Sequence, residues 1–182
     1  MRSFFLFFIF GVSLFASPLS TLYTYYEKQA YEKGCNYGAK YYTKNIKNEK
    51  YLTLYGLSCL ETNHLDRVAK PMLLLDEDKA ARENASYFAT ILLQKQLLKQ
   101  ALMDDKPLGD LRLPKTNFVL SRIFDLFVAK AYEVHDGVYT VKDPDKEHVQ
   151  YKVYIESTKK KKNYMIIDIY REDRFIKRYR YN

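Results

Sequence analysis

Apolar residues recur at three- and four-residue steps over the first two thirds of the chain, which is the pattern of amphipathic helices. The polar residues 44–48 interrupt this pattern and predict a turn, and the acidic residues 76–78 supply a cap and the negative charge favoured at a helix start. The predicted helices cover residues 20–46, 49–61, 66–75, 79–103 and 120–131.

The hydrophobic period changes from 3.6 to 2 after residue 137, which indicates half-buried strands. Four strands are predicted at residues 138–142, 149–156, 164–171 and 174–181, and short turns join them. The simplest topology for consecutive strands with short connections is an antiparallel meander. We therefore expect an α+β fold, with a helical region at 17–134 that begins as an αα-hairpin and a four-stranded β-meander at 135–182 packed on the helices.

The first 16 residues have the features of a secretory signal peptide. Arg2 precedes an apolar stretch at residues 4–15, and the small residue Ala16 follows it. An apolar core of about 12 residues is too short to span a bilayer about 30 Å thick. We expect cleavage after Ala16 and a periplasmic or secreted protein, the alternatives being an uncleaved N-terminal anchor or a buried hydrophobic segment.

The chain has two cysteines, Cys35 and Cys59, on adjacent predicted helices. In an oxidising compartment such a pair favours a disulfide, and the alternative is two free buried thiols. The spacing is far from Cys-x-x-Cys, so a redox enzyme is not indicated.

Small residues are interspersed with aromatic ones in this region. They are Gly34, Cys35, Gly38 and Ala39 in the first helix, and the second helix contains the run LYGLSCL at residues 54–60. Residues 20–75 resemble the αα-hairpins of tetratricopeptide and Sel1-type repeat proteins, which place small residues where paired helices touch. The resemblance implies a protein-interaction surface and brings no catalytic residue with it.

No sequence pattern identifies a catalytic, cofactor or metal site. His64, His135 and His148 stand outside metal-ligand spacings, and nucleophile and phosphate-loop motifs are not found. Residues 143–148 resemble the opening of a calcium loop but have His148 where the loop needs glycine and Tyr154 where it needs glutamate. We expect a solvated turn there and no cofactor.

Positive charge is concentrated at the C-terminal end. The net charge is +8, and residues 149–182 contain ten Lys or Arg against four Asp or Glu. The candidate surface for an anion or a partner consists of Lys159, Lys160, Lys161, Lys162, Arg174, Lys177, Arg178 and Arg180. Anionic lipid, cell-wall polymer or an acidic protein fits an exported protein better than nucleic acid does, which we exclude on compartment grounds. The alternative is that these cations only protect strand edges from aggregation.

Three functions remain open from the sequence. The first is a non-enzymatic periplasmic interaction or scaffold protein whose partner is another periplasmic or cell-envelope protein. The second is a carrier that holds a lipid or other apolar ligand between helices and sheet, which the 18 Tyr and 11 Phe residues suggest. The third is an enzyme without a recognisable motif. An exposed apolar groove on the helices would favour the first function, and a large internal pocket the second.

Overall fold

A computed structural model describes residues 17–182, so the predicted signal peptide at 1–16 lies outside the described residues. Six helices precede a five-stranded sheet, which agrees with the α+β class. The helices are α1 Pro18–Glu27, α2 Tyr31–Tyr41, α3 Glu49–Glu61, α4 Ala69–Met72, α5 Lys79–Asp104 and α6 Val119–Val128, with short 3-10 turns at Tyr42–Lys44 and Leu65–Arg67. The strands are β1 Glu133–His135, β2 Val138–Lys142, β3 Val149–Ser157, β4 Asn163–Arg171 and β5 Arg174–Tyr181.

The helix predicted at 20–46 is two helices joined by a tight break. Gln29 has a positive φ of 53°, and the N–H groups of Gln29 and Ala30 donate to the carbonyls of Tyr26 and Tyr25. These hydrogen bonds close α1 in the manner of a left-handed C-terminal cap. Neither glycine nor proline stands at the break, and the apolar pattern continues through it, so periodicity alone predicts one helix.

Helix α3 packs against α2 and α5 closely enough to require glycine at both contacts. A Cβ atom at Gly38 would lie 2.7 Å from Cγ and 2.9 Å from Cβ of Tyr55, and a Cβ atom at Gly56 would lie 2.6 Å from Cζ of Phe88. The hydroxyl of the buried Tyr51 donates to the carbonyl of Gly38 at 3.1 Å. The close helix–helix approach predicted from these glycines is confirmed.

The sheet has the order β1-β2-β3-β4-β5, and each neighbouring pair is antiparallel. The prediction of four strands is wrong because β1 pairs with β2, with Glu133 opposite Thr140 and His135 opposite Val138. All three residues of β1 are exposed, so no alternation of buried and exposed positions marks it in the sequence.

One hydrophobic core joins the helices to one face of the sheet. Buried residues of α3, α5 and α6 pack with alternate residues of the central strands, including Leu52, Phe88, Ile123, Phe124, Val141, Tyr151, Val153, Met165 and Ile167. The opposite face of the sheet carries mainly polar and aromatic side chains, with the completely buried Ile166 among them.

Candidate functional site

An open groove of about 500 Å³ lies where the N-terminal turns of α1, α3 and α5 meet. Leu19, Leu54 and Ala81 are among its apolar lining residues, and Tyr23, which is 54% exposed, also lines it. The polar side chains of the lining are those of Ser17, Ser20, Glu49, Lys50, Thr53, Asp78 and Asn84. The groove can therefore take apolar side chains while leaving hydrogen-bonding groups around them.

Glu49, in the first turn of α3, fixes the position of the start of α5. Its carboxylate accepts hydrogen bonds from the backbone N–H groups of Asp76, Glu77 and Asp78, at 2.7, 2.8 and 3.3 Å. The Asp78 side chain in turn caps α5 by accepting from the N–H of Ala81 at 2.7 Å. These bonds tie two sides of the groove together, because residues from both first turns line it.

A disulfide joins Cys35 of α2 to Cys59 of α3, with the two Cα atoms 4.7 Å apart. The predicted pairing is confirmed. Both cysteines are completely buried. The bond fixes α3, which supplies Thr53 and Leu54 to the groove, against its hairpin partner.

Two of the predicted surface cations are engaged in ion pairs on the outer face of the sheet. Arg178 donates to both carboxylate oxygens of Asp168, at 2.7 and 2.8 Å, and to the hydroxyl of Tyr154 at 3.0 Å. Arg180 lies 2.9 Å from a carboxylate oxygen of Glu156. Its guanidinium also stands 3.7 Å from the ring centroid of Tyr164. These side chains brace neighbouring strands, which reduces the charge they offer to a ligand.

The remaining predicted cations are distributed over two ends of the sheet. Lys159, Lys160, Lys161 and Lys162, which we call the lysine run, lie in or beside the turn between β3 and β4. Arg174 begins β5 at the opposite end of β4, about 26 Å away at the usual rise per residue. Lys177 stands 4.5 Å above the ring of Tyr179. The structure does not bring all eight cations into one patch.

A buried ionic network joins the helices to the sheet. The guanidinium of Arg122 on α6 donates to both carboxylate oxygens of Asp143, which directly follows β2, and the hydroxyl of Tyr151 on β3 donates to the same carboxylate at 2.7 Å. Burial alone would raise the pKa of Asp143, but the hydrogen bonds from Arg122, Tyr151 and the N–H of Asp145 together lower it. Burial and the bond to Asp143 raise the pKa of the Tyr151 hydroxyl.

This network changes the interpretation of the acidic turn at residues 143–148. The turn is not fully solvated, because the Asp143 side chain is 0% exposed and its charge is neutralised by Arg122. Within residues 17–182, no group of three or more His, Cys, Asp or Glu side chains could hold a metal ion. His64 lies 3.3 Å from a carboxylate oxygen of Glu32, and His148 has the same separation from Glu147.

The groove was not predicted from the sequence. No periodic pattern assigns a site role to Tyr23 or Leu54, which both line it. The available signal was the wide apolar face of the second predicted helix, which includes Leu54 and Leu57. That signal does not show that the first turns of α1, α3 and α5, which are far apart in the sequence, meet around one groove.

Comparisons with protein-family models, with curated proteins and with solved structures each found no match. Among the described helices, none combines the length and apolar character that crossing a membrane requires.

Proposed function

We propose that this chain is a non-enzymatic, exported interaction protein that binds an apolar segment of a cell-envelope protein in the groove between α1, α3 and α5. The observation that carries the proposal is the open, mainly apolar groove of about 500 Å³ on the helical part. Its volume falls within the range of about 300–1,000 Å³ typical of ligand pockets.

The arrangement of the groove suits a protein segment. Protein interfaces combine an apolar centre with a polar rim, and here Leu19 and Leu54 are flanked by Ser20, Lys50 and Asn84. Burying one Leu or Phe anchor of the partner would contribute about 1.5–3 kcal/mol. The resemblance of residues 20–75 to tetratricopeptide and Sel1-type hairpins supports the same class of function.

The carrier hypothesis has less support from the cavities. It requires a ligand between helices and sheet, and a cavity there has a volume of about 250 Å³, with Leu108, Phe127, Tyr132 and Tyr139 among its lining residues. The three aromatic rings pack on one another with centroids 4.8–5.2 Å apart. They occupy space that an apolar ligand would need.

Site-specific photo-cross-linking tests the proposal. A benzophenone amino acid in place of Tyr23 should form an adduct in the cells that produce the protein. Ala80→Glu places a charged side chain at the groove and should abolish that adduct, because a carboxylate would have to be desolvated by the partner. Ala89→Glu, at an exposed position of the same helix outside the groove lining, is the matched control.

The expected result is an adduct that persists with Ala89→Glu and disappears with Ala80→Glu, while both variants keep the melting temperature of the parent protein. An adduct that survives Ala80→Glu, or no adduct at position 23, would contradict the proposal.

A further inference from the structure

The last strand of the sheet, β5, is a long and exposed edge. It pairs with β4 on one side, and within residues 17–182 no strand pairs with its other side. The other edge strand, β1, has three residues, whereas β5 has eight. The five residues Arg174, Phe175, Ile176, Lys177 and Arg178 are all exposed. An edge of this length presents a row of backbone N–H and C=O groups to solvent.

Two large apolar side chains stand on this edge strand. Phe175 is 54% exposed and Ile176 is 57% exposed. The register between β4 and β5 is interrupted at Ile169/Tyr170, so the strand is irregular at its beginning. An extended peptide that added to β5 would gain main-chain hydrogen bonds along the strand and apolar contacts with Phe175 and Ile176.

The charge of β5 selects the kind of segment that can pair with it. Its sequence, RFIKRYRY, has four basic residues and no acidic one. Arg178 and Arg180 are already paired with Asp168 and Glu156. Within residues 17–182, Arg174 and Lys177 form no ion pair with a carboxylate. A second copy of β5 would bring like charges together across the new strand pair, which is destabilising.

We propose that β5 is a strand-addition site for an extended acidic segment of a partner protein. The acidic side chains of that segment would face Arg174 and Lys177, and its backbone would complete the open edge. Membrane lipid offers the negative charge but no strand of backbone donors and acceptors. This surface lies on the sheet, so it does not depend on the proposed function of the helical groove.

The test uses the chain from residue 17 to residue 182, labelled for NMR, and an end-blocked peptide of alternating Glu and Val with the length of β5, eight residues. A peptide of alternating Lys and Val controls for charge. An acidic peptide with every second amide N-methylated controls for backbone pairing. Binding is measured by titration, and hydrogen exchange of the β5 amides reports whether the strand edge is covered.

Three sets of variants locate the site. The double variant Arg174→Glu with Lys177→Glu reverses the two cations of β5 that lack an ion pair. It should weaken binding of the acidic peptide about thirtyfold, which corresponds to losses of about 1 kcal/mol at each of the two exposed pairs. Lys28→Glu with Lys33→Glu makes the same change in charge on the helical part and should leave binding unchanged. Replacement of the whole lysine run by Ser should change binding of the acidic peptide only slightly.

The proposal requires that only the acidic, unmethylated peptide binds and that it slows exchange in β5. It would be overturned by equal binding of the basic peptide, by binding without protection of β5, or by loss of binding only when the lysine run is replaced. Absence of binding, or self-association of the protein through β5, would overturn it as well.

Discussion

Arg122→Met should destabilise the protein strongly at neutral pH and much less at acidic pH. The Arg122 side chain is 24% exposed, whereas the Asp143 carboxylate beside it is completely buried. Methionine keeps most of the apolar volume of the side chain and removes its charge. The variant therefore leaves a buried carboxylate without its cation at the junction of α6 and the sheet.

The magnitude follows from what remains around Asp143. Removing one partner of a buried ion pair costs about 3–5 kcal/mol. Asp143 still accepts from the Tyr151 hydroxyl at 2.7 Å and from the Asp145 N–H at 3.1 Å. Because these two bonds persist, we expect a loss at or below the lower limit of that range, about 2–3 kcal/mol in the free energy of unfolding at pH 7.

The direction in which pH changes the stability difference follows from the pKa of Asp143. In the parent protein the pKa of Asp143 is below its ordinary value of 3.8, so its stabilising contribution is present above that value and is lost as pH falls through the folded pKa. Without Arg122 the folded pKa rises, and protonation relieves the buried charge at a higher pH. The difference in unfolding free energy between parent and variant should therefore begin to narrow below about pH 5.

Urea unfolding at pH 7, 5 and 3.5, followed by far-UV circular dichroism and tyrosine fluorescence, measures both effects, since the chain has 18 Tyr and no Trp. Asp145→Asn is the control, because Arg122 also lies 2.8 Å from Asp145, whose side chain is 74% exposed. This exposed pair should contribute at most about 1 kcal/mol. A loss below 1 kcal/mol for Arg122→Met, or a loss that does not change with pH, would show that Arg122 does not compensate a buried charge on Asp143.

Two further predictions concern the α2–α3 hairpin. Gly38→Ala should lower the melting temperature, because overpacking against Tyr55 costs about 1–3 kcal/mol and outweighs the helix-propensity gain of about 1 kcal/mol. Gly34→Ala should cost less, because its closest contact would be Ser58 Oγ at 2.7 Å, which can rotate away, and Ser58 Cβ would lie at 3.1 Å; equal losses would argue against the packing explanation. Replacing Cys35 and Cys59 together by Ser should lower the unfolding free energy by about 3 kcal/mol, as expected for a cross-linked loop of this length. Thiol titration of the unfolded, unreduced parent should find no free thiol; two thiols would contradict the disulfide.

The elements with strong local signals could be predicted from the sequence. The helix predicted at 79–103 is α5 Lys79–Asp104, because Asp78 caps it and its apolar periodicity is regular. The strand predicted at 149–156 is β3 Val149–Ser157, where buried and half-buried positions alternate over its first five residues. The break after α1 could not be predicted, because it depends on Gln29 adopting a left-handed conformation without a glycine.

Features that depend on tertiary contacts were harder to predict. The disulfide could be inferred because the chain has two cysteines, which allow one pairing, and because they lie on adjacent predicted helices. The ion pair of Arg122 with Asp143 joins residues 21 positions apart, and neither residue type nor spacing identifies it. The groove combines side chains from three helices, including Tyr23, Leu54 and Ala80, so no single periodic pattern contains it.

We propose that the groove between α1, α3 and α5 holds a segment of another protein. The decisive measurement is the chemical identity of the molecule bonded to a benzophenone side chain at position 23, determined by mass spectrometry of the digested adduct. We expect a peptide of a second protein, joined through an apolar residue. A lipid adduct at that position, or a spectrum that contains only the unmodified peptide, would contradict it.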